Sequence, residues 1–577
     1  MDCQPVRRTP LGADTVCDQR TLPDDEAPQR RPVPGGIPAG AGEHADSLSA
    51  TALLGCLIRE IARPHLCQDT AGGHAAYLLP ATGALLRVGA GRHPTEPELR
   101  TADGWSPLAF PALAALVTDE LTRHTGLPNH TLAGEITASR DTIAAFLDAR
   151  ATADPPRDLY IRSEQALLAG HRHHPAPKAR GTEPPGTWLP YAPEAHARFP
   201  LALLAVRADL LAQEGDCTGL DSLGTAPPGY RLLPAHPWQL ALLGDLPAFH
   251  DGRIKRLGET SATVVPTSSL RTVYLPEADL FCKFSLDVRI TNDVRRLWTH
   301  DLRRLRTIDV LLRSAFADLP PHSSAGMLAD RGHRTADLAD ADSYGAFAVI
   351  IRDGPRAHLD AGTTPLLTAG ISEGFPGNPL DSTTAEGALT WWRRYLHHVV
   401  PAVLHAFFRH GLVLECHLQN VLVCVDDTTG LPAKVLFRDH EGVKLLAGRH
   451  TAPLHLLPPG TSAPVVEPAE GWHRLTYCLV TNNLHEIAGA ITQRHPHLAG
   501  TLWPHAQQVF AACGAAAGDP PEIHDLLATT HIPAKANLLL RWLGADGASS
   551  RYVPMPNPLR TSSTSPRQPG TNARDAR

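Results

Sequence analysis

A long helix pattern followed at once by two strand patterns, over residues 384–446, constrains the fold of this chain most strongly. Apolar side chains recur every three or four residues through 384–410, which predicts a helix. The stripe consists of Leu389, Trp392, Leu396, Val399, Val403 and Phe407. Pro401 is expected to kink this helix, and Gly411 stands where a C-terminal stop is expected. The apolar runs 412–426 and 433–446 then predict two strands joined by an Asp-Thr-Thr-Gly turn.

The rest of the chain also mixes helix and strand patterns, which predicts an α+β fold. The helical patterns cover 49–63, 107–150, 294–312 and 470–545, and the strand patterns cover 76–89, 230–240, 263–275, 280–291 and 343–353. A mainly helical first unit is expected to end near residue 155. Residues 1–45 and 561–577 have no periodic apolar pattern, so we expect them to be disordered tails.

Composition excludes several classes of protein. The 577 residues carry 53 Lys and Arg against 59 Asp and Glu, a net charge of −6, which argues against a general nucleic-acid binder or a membrane-surface protein. No run approaches the ~18 apolar residues of a membrane span, and the first residues lack the apolar core of a secretory signal, so a cytoplasmic protein is expected. The ten cysteines form no C-x-x-C pair, which argues against a disulfide framework or a zinc ribbon.

Residues 281–291 alternate apolar and polar side chains without a break, which predicts a strand with one buried and one polar face. A solvated sheet face is the simplest interpretation of its polar side. However, Thr291 or Asn292 stands where the next helix needs an N-cap, and Arg295 would fall in its first turn, which suits an anion. Lys283 and Thr291 would lie ~26 Å apart on a straight strand and could not hold the same group.

Two further segments suit anions. In the strand pattern at 266–272, alternation places Ser269 and Arg271 on one face and Thr272 on the other, which suits phosphate contacts, although such strands are also common on surfaces. The segment 170–181 has three histidines within four residues, but two are adjacent, which argues against a zinc site. Its Lys and Arg favour an anion-binding loop instead, and a solvated loop remains the alternative.

The segment 415–420 is more specific. Read as a strand, it places Glu415, His417 and Gln419 on one face with Asn420 next, and the following strand brings Asp439. Oxygen ligands of this kind suit Mg²⁺ bound to nucleotide phosphates. A polar hairpin with ion pairs, such as Glu415 with Arg438, is the alternative. We favour the metal site because so many polar groups on an apolar hairpin are costly unless satisfied.

With these motifs in view, the chain resembles the IucA/IucC-like family of siderophore synthetases, which act without a nonribosomal peptide synthetase. The motifs occur in family order between about 160 and 560. They are G-H-R-H-H-P-A-P-K-A-R (170–180), H-P-W-Q (236–239), P-T-S-S-L-R-T (266–272), Lys283 with T-N-D-V-R (291–295), G-L-V-L-E-C-H-L-Q-N (411–420), R-D-H-E-G (438–442), K-A-N-L-L-L-R (535–541) and Y-V-P-M-P-N-P-L (552–559).

The resemblance implies a cupped-hand fold, with a helical thumb (46–155), β-rich fingers (156–375) and a palm distantly like kinases (376–560). It also implies ATP and Mg²⁺. The implied reaction adenylates a carboxylate, commonly citrate or a citrate or succinyl derivative, with loss of pyrophosphate. An amine or hydroxyl then attacks to give an amide or ester. Family members often form homodimers, and the implied partners are small-molecule acids and amines.

The resemblance also assigns roles to residues. The implied ATP contacts are Ser269, Arg271, Thr272, Lys283, Gln419, Asn420 and Asp439. The implied acid-binding residues are His171, His174, Lys178, Thr291, Arg295 and His417, and the implied catalytic residues are His417, Arg295 and Lys283. The implied Mg²⁺ ligands are Glu415, Asn420 and Asp439. The chain departs from the family pattern at Arg172, Cys416, His440 and Trp542.

Two alternatives remain open at this point. The Asn420 and Asp439 pair is also compatible with a kinase-like small-molecule phosphotransferase, which would release ADP. That class expects a catalytic Asp shortly after the histidine, whereas Leu418 and Gln419 follow His417 here. The 31 histidines would also allow a non-enzymatic iron or siderophore binder, but they are too dispersed along the chain to favour it.

Overall fold

The structure is a computed structural model that describes residues 39–66, 73–181, 183–320, 323–450, 457, 461, 463–545 and 551–560. The predicted tail at 1–45 is partly wrong, because the first helix begins at Ala39. Ala45 is fully buried in that helix, so the last residues of the predicted tail, 39–45, belong to the folded chain. Residues 1–38 and the predicted tail at 561–577 lie outside the described residues.

The first region contains three helices and a sheet. Its elements are α1 (Ala39–Glu60), β1 (Arg63–His65), β2 (His74–Leu78), β3 (Leu85–Gly89), β4 (Thr95–Thr101), β5 (Gly104–Pro107), α2 (Phe110–Thr125) and α3 (His130–Thr152). The five strands form one antiparallel sheet in the order β1-β2-β3-β4-β5. Helices make up most of this region, as expected, but the sequence predicted only the 76–89 hairpin of its sheet. Strand β4 is largely polar and partly exposed, so it leaves little period-two hydrophobic signal.

The middle region is built around an eight-stranded sheet. Its elements are α4 (Leu159–Glu164), α5 (Pro185–Trp188), β6 (Phe199–Arg207), β7 (Leu211–Gly215), α6 (Thr218–Asp221), β8 (Tyr230–Ala235), α7 (Pro237–Leu243), α8 (Pro247–His250), β9 (Ile254–Pro266), β10 (Thr272–Leu275), β11 (Leu280–Phe284), β12 (Leu286–Ile290), β13 (Asp293–Arg295), α9 (Thr299–Ala317), β14 (Ala325–Met327), β15 (Asp330–Ala336), α10 (Ala341–Ala346), β16 (Val349–Asp353), β17 (Thr363–Leu367) and α11 (Thr368–Glu373). The large sheet has the order β7-β15-β16-β11-β10-β9-β6-β8, and β12 and β13 form a separate hairpin.

Two strand predictions in this region are only half right. The predicted strand at 230–240 ends at Ala235, because the His236 side chain accepts a hydrogen bond from Trp238 N and Pro237 begins helix α7. The predicted strand at 343–353 begins only at Val349. Its first part is helix α10, which Asp340 caps by accepting a hydrogen bond from Ser343 N.

The last region contains the long helix that the apolar stripe predicts. Its elements are α12 (Ala385–Phe408), β18 (Leu412–Val413), β19 (Val421–Asp426), β20 (Pro432–Phe437), β21 (Lys444–Leu446), β22 (Val465–Val466), α13 (Pro468–Thr476), a π-helical segment (Tyr477–Leu484), α14 (His485–Arg494), α15 (Ala499–Ala516), α16 (Pro521–Ala528), β23 (His531–Lys535), α17 (Asn537–Trp542) and β24 (Tyr552–Pro556). Gly411, with φ +64°, ends the α12 segment as predicted.

The three largest hydrophobic clusters among the described residues stabilise these regions. The largest surrounds α12, whose Trp392, Tyr395 and Leu396 are fully buried. A second lies against the eight-stranded sheet, and a third packs α1 and α2 against the first sheet. Leu538 and Trp542 of α17 belong to this third core, so the end of the chain returns to the first region. The alternation of helices and sheets confirms the predicted α+β fold.

Candidate active site

A cavity of about 720 Å³ lies where the middle and last regions meet, and we call it the site cavity. It is lined by the histidine loop at 170–180, the loop at 267–272, the turn between β12 and β13, and the segments 413–420 and 438–444. Thirteen Lys or Arg and eight Asp or Glu contribute to its lining. The chain as a whole is acidic, so positive charge is concentrated in this cavity.

Lys283 lies at the centre of the cavity wall. Its strand, β11, is central in the sheet, between β10 and β16, and all five of its residues are buried, so both of its faces are covered. The alternative of a solvated polar face is therefore excluded for this strand, and Lys283 is only 2% exposed. Its Nζ lies 2.6 Å from Asp439 Oδ1 and 2.6 Å from Glu441 Oε2. These two carboxylates compensate the buried ammonium.

Asp439 follows strand β20 with φ +72°, a left-handed conformation that Asp tolerates better than most residues. Its Oδ1 also lies 3.3 Å from Arg352 Nη2, and Arg352 donates from Nε to Asp330 Oδ1 at 2.5 Å. Burial alone would raise the pKa of Asp439, but Lys283 and Arg352 hold it well below its usual range. Asp439 is therefore ionised at neutral pH.

The predicted strand at 266–272 is wrong over most of its length. Strand β9 ends at Pro266 and β10 begins at Thr272, and Leu270 between them has φ +45°. The intervening loop presents Ser269 and Arg271 to the cavity. Thr272 also lines the cavity, and it is the β10 residue that pairs with Lys283 of β11. The loop therefore brings residues together that a straight strand would place on opposite faces.

A buried ion pair that the sequence analysis missed supports this loop. Arg438 donates from Nη1 to Glu164 Oε1 at 2.5 Å and from Nη2 to Glu164 Oε2 at 3.1 Å. Glu164 Oε2 also accepts from Ser268 N at 3.2 Å, and Gln419 Nε2 donates to Ser268 O at 2.9 Å. Arg438 therefore pairs with Glu164 and not with Glu415. No sequence signal links two residues that are 274 positions apart.

The segment 415–420 is not a strand. Strand β18 contains only two residues, and a 3₁₀ turn at Leu418–Asn420 precedes β19, so Glu415, His417 and Gln419 do not share a strand face. They nevertheless line the same cavity as Asn420 and Asp439. Asn420 Nδ2 donates to Glu415 O at 3.1 Å and approaches His417 Nε2 at 3.2 Å. The 3₁₀ turn, and not the alternation of a strand, therefore brings these residues together.

These contacts define the protonation of His417. An amide NH₂ can only donate, so His417 Nε2 accepts from Asn420 and Nδ1 carries the ring proton. Burial lowers the pKa of His417, although Glu415 and Asp439 oppose the shift. His417 is therefore a neutral imidazole at pH 7, with an Nδ1–H that can donate to a ligand.

The prediction of a helix N-terminus at Thr291 is wrong. Thr291 has φ +59° and lies in the turn of the β12–β13 hairpin, and α9 begins only at Thr299. Arg295 lies on β13, where its Nη2 donates to Thr291 Oγ1 at 2.7 Å and to Ile290 O at 2.8 Å. Burial, with a contribution from Arg271, lowers the pKa of Arg295 to about 10, which leaves it charged at neutral pH.

A break in the strand at Ser285 explains why Lys283 and Thr291 line one cavity. Ser285 Oγ donates to Gly345 O at 2.6 Å and accepts from Leu297 N at 2.7 Å. Ser285 is the single residue between β11 and β12, and the two strands belong to different sheets. The predicted separation of ~26 Å holds only for a straight strand, which this chain does not form.

The histidine loop contributes unequally to the cavity. His171 and Lys178 line it, whereas His174 does not. His174 Nε2 lies 3.2 Å from Asn292 Oδ1, a residue of the cavity wall, and burial lowers the pKa of His174 to about 3. Lys178 is buried in an ion pair with Glu194, so its charge is already matched. Burial also holds the pKa of His171 well below its usual range.

Arg92, which the sequence analysis missed, links the first region to the histidine loop. It lies in the connection between β3 and β4, and its Nη1 donates to Ser372 O at 2.7 Å. Its Nη2 donates to Glu486 Oε2 at 2.9 Å, and Glu486 Oε1 lies 3.0 Å from His173 Nε2. Asn537, within the K-A-N-L-L-L-R motif, donates from Nδ2 to His173 O at 2.7 Å. The loop that carries His171 is therefore held from two sides.

Comparisons with known proteins are consistent with this architecture. The model of the IucA / IucC family matches residues 159–373, and a model described as ferric iron reductase FhuF-like transporter matches residues 389–550. The chain is 30% identical over 528 residues to L-2,3-diaminopropanoate–citrate ligase of Staphylococcus aureus, a match that covers 81% of this chain and 88% of that protein. It is 27% identical to the rhizobactin siderophore biosynthesis protein RhbC of Rhizobium meliloti, over 69% of this chain and 75% of that one.

Solved structures share the fold. ATP-bound aerobactin synthetase IucA from a hypervirulent pathotype of Klebsiella pneumoniae superposes with a TM-score of 0.76 at 22% identity, over 89% of this chain and all of that one. The petrobactin biosynthesis protein AsbB of Bacillus anthracis gives a TM-score of 0.74 at 18% identity, over 90% and 96% of the two chains.

The sequence relatives, together with the shared fold, therefore define a synthetase of the siderophore class. The chain belongs to the IucA/IucC family, as the sequence motifs predicted. Among the described residues, no helix is long and apolar enough to cross a membrane.

Proposed function

We propose that this chain is an ATP-dependent acid–amine ligase that adenylates one carboxylate of citrate, or of a citrate or succinyl derivative, and joins it to an amine or hydroxyl. The observation that carries the proposal is the site cavity, where Lys283, Arg271 and Arg295 concentrate positive charge. Two polyanions must meet in this reaction, so their mutual repulsion has to be offset. Relatives named L-2,3-diaminopropanoate–citrate ligase, spermidine–citrate ligase and N(2)-citryl-N(6)-acetyl-N(6)-hydroxylysine synthase support the substrate class.

ATP is proposed to bind along the loop at 267–272 and the wall beside it. The proposed contacts are Ser269, Arg271, Thr272, Lys283, Gln419, Asn420 and Asp439. The hydroxyls and the cations suit phosphate oxygens. Lys283 is held by Asp439 and Glu441 before any nucleotide arrives, so little reorganisation of its ammonium is needed. Gln419 fixes the loop through Ser268 O.

The residues proposed as Mg²⁺ ligands fit a hard cation. Asn420 Nδ2 is engaged by Glu415 O and His417, which leaves its Oδ1 as a ligand atom. Among the described residues no partner is found for the Glu415 carboxylate, and a Cβ at Gly442 would overlap it. Lys283 and Arg352 both contact Oδ1 of Asp439, which leaves Oδ2. When bound there, Mg²⁺ would neutralise phosphate charge.

The acid is proposed to bind between the β12–β13 hairpin and the histidine loop. Arg295 and Thr291 provide a guanidinium and a hydroxyl, and His171 lines the same cavity. His417 is proposed to donate from Nδ1 where the acid meets the α-phosphate. His174 contacts Asn292 and Lys178 pairs with Glu194, and both contacts are proposed to hold the wall of this pocket in place. Lys283, Arg295 and His417 are thus the proposed catalytic residues.

The proposed reaction has two steps. A carboxylate oxygen of the acid attacks the α-phosphorus of ATP, and the bond from that phosphorus to the β-bridging oxygen breaks, which releases pyrophosphate. The nucleophile then attacks the acyl carbon, the bond from that carbon to the AMP oxygen breaks, and the nucleophile loses one proton. No described residue is assigned as its base, because positioning against an activated acyl group supplies much of the rate.

Product analysis tests the proposal. The chain is incubated with ATP, Mg²⁺ and citrate, with and without a panel that includes L-2,3-diaminopropanoate, spermidine and other amines. We expect AMP and pyrophosphate, formed faster when the right amine is present. ADP and phosphate would instead support the phosphotransferase alternative. The resemblance also leads us to propose a homodimer, which light scattering of the purified chain would detect.

A further inference from the structure

Asp318, His405 and His410 form a compact group of metal-ligating side chains outside the site cavity. Asp318 is the C-cap of α9, His405 lies in the last turn of α12, and His410 follows that helix. Asp318 Oδ2 lies 3.1 Å from His410 Nε2 and 3.7 Å from His405 Nε2. One ligand atom from each residue lies within 4.8 Å of the other two. None of the three lines the site cavity, so the proposed ligase reaction does not use them.

We propose that Asp318, His405 and His410 bind one divalent transition-metal ion of the zinc class. In a tetrahedral site with metal–ligand distances of about 2.0–2.1 Å, neighbouring ligand atoms lie about 3.4 Å apart. The distance from Asp318 Oδ2 to His410 Nε2, 3.1 Å, is slightly below that value, and the distance to His405 Nε2, 3.7 Å, is slightly above it. Three protein ligands leave the fourth position to water. The Asp318 side chain is 54% exposed, so this position is open to solvent.

The ring of His405 distinguishes this group from an ordinary ion pair. Its Nε2 is buried without a hydrogen-bond partner among the described residues, whereas buried polar atoms are normally satisfied. An unpartnered imidazole nitrogen near a carboxylate is a set of ligand atoms that a cation satisfies.

The local electrostatics also favour a cation. Helices α9 and α12 both end at this group, and the carbonyl ends of helices carry partial negative charge. Arg409 Nε lies 3.8 Å from Asp318 Oδ2 and is the charge that balances the carboxylate without an ion. The Arg409 side chain is 73% exposed, so it can turn into solvent when an ion binds.

A metal ion here would clamp α9 to α12. Helix α9 carries Asp301 and Arg304, which line the site cavity, and α12 lies in the largest core. An ion that binds only the folded chain stabilises it by mass action. The proposed role is therefore structural, and it is independent of the ligase reaction.

Zn²⁺ titration of the full chain tests this site. The chain is treated with EDTA, dialysed and titrated with Zn²⁺ by calorimetry, and thermal unfolding is measured with and without Zn²⁺. We expect a site whose affinity falls at least about tenfold in both Asp318→Asn and His405→Gln. Zn²⁺ is expected to raise the unfolding temperature of the unmodified chain, with reversal by EDTA. His524→Gln, which changes an exposed histidine elsewhere, is the matched control and should bind like the unmodified chain.

Two outcomes would overturn the proposal. One is unchanged Zn²⁺ affinity and stoichiometry after all three ligands are replaced, which would place binding elsewhere, for example at His171 and His173. The other is no binding by the unmodified chain at 100-fold molar excess of Zn²⁺. If His405→Gln does not fold, the Zn²⁺ affinity of Asp318→Asn is the test, because a half-exposed side chain can be replaced without loss of the fold. Ligase activity with Mg²⁺ alone should be unchanged in Asp318→Asn, which separates this proposal from the proposed function.

Discussion

Lys283 Nζ lies 2.6 Å from Asp439 Oδ1, although 156 positions separate the two residues in the chain. The contact joins the centre of the eight-stranded sheet to the segment that follows β20. Arg352, on the strand beside Lys283, contacts the same Asp439 oxygen. Each charge is therefore held in place by an opposite charge from another element. The proposed site for two anions is thus preorganised before they bind.

Lys283→Met is expected to reduce pyrophosphate release at least about 100-fold, because a preorganised cation in a dry site contributes that much. It should also lower the free energy of unfolding by about 3 kcal/mol, since Asp439 and Glu441 lose their buried partner. Steady-state kinetics and urea unfolding measure the two effects. Lys255→Met, at an exposed position, should change neither by a comparable amount. An active Lys283→Met enzyme would contradict the proposed role.

Arg295→Ala is expected to raise the KM for the acid about 10- to 100-fold, because a charge-assisted hydrogen bond to a carboxylate contributes about 1.5–3 kcal/mol. The KM for ATP should change much less. Arg289→Ala lies on the same hairpin with an exposed side chain and is the matched control. Initial rates at varied acid and ATP concentrations separate the two constants. Equal losses for both substrates would count against the acid pocket.

Asn420→Ala is expected to weaken nucleotide binding only when Mg²⁺ is present. The substitution removes the Oδ1 proposed as a ligand, as well as the Nδ2 that orients His417. Binding of ATP is measured by calorimetry with Mg²⁺ and again with EDTA. The unmodified chain should lose most of its ATP affinity in EDTA, and the variant should respond little. A variant with an intact Mg²⁺ response would exclude Asn420 as a ligand.

Arg92→Ala is expected to act through Glu486 and His173 on the loop that carries His171. Arg92 does not line the site cavity, so we expect the KM for the acid to rise about tenfold with a smaller change in kcat. Arg92→Lys should recover part of the loss. Arg123→Ala removes an exposed arginine of the same region and serves as the control. If kcat and KM are both unchanged, the loop does not depend on Arg92.

Low pH is expected to destabilise the fold, because buried histidines such as His236 stay neutral in the folded state. Burial lowers the pKa of His236 to about 3, so the folded state keeps the ring neutral while the unfolded state takes up a proton below about pH 6.5. Stability is therefore lost as the pH falls from 6.5 towards 3, by about 1.4 kcal/mol per pH unit. His236→Asn retains the helix cap but cannot titrate. Urea unfolding at pH 7.5 and 5.5 should show a smaller loss in this variant.

Local sequence patterns were enough to predict the mixture of helices and strands and the residue types of the site. Helix α12 follows its apolar stripe closely, and the hairpin of β2 and β3 forms around the predicted turn. Apart from His174, the residues chosen from the motifs line one cavity. Such signals are local, because periodicity and turn chemistry depend on residues within a few positions of one another.

How these residues come together depends on packing between elements that are far apart in the chain. A period-two pattern cannot distinguish an edge strand from a central one, nor show that Asp439 and Glu441 pack against Lys283 of the central strand β11. Positive φ angles at Leu270 and Thr291 turn the chain at positions where the sequence has no glycine to indicate a turn. The pairing of Glu164 with Arg438 is set by packing across 274 positions, where local pattern carries no information.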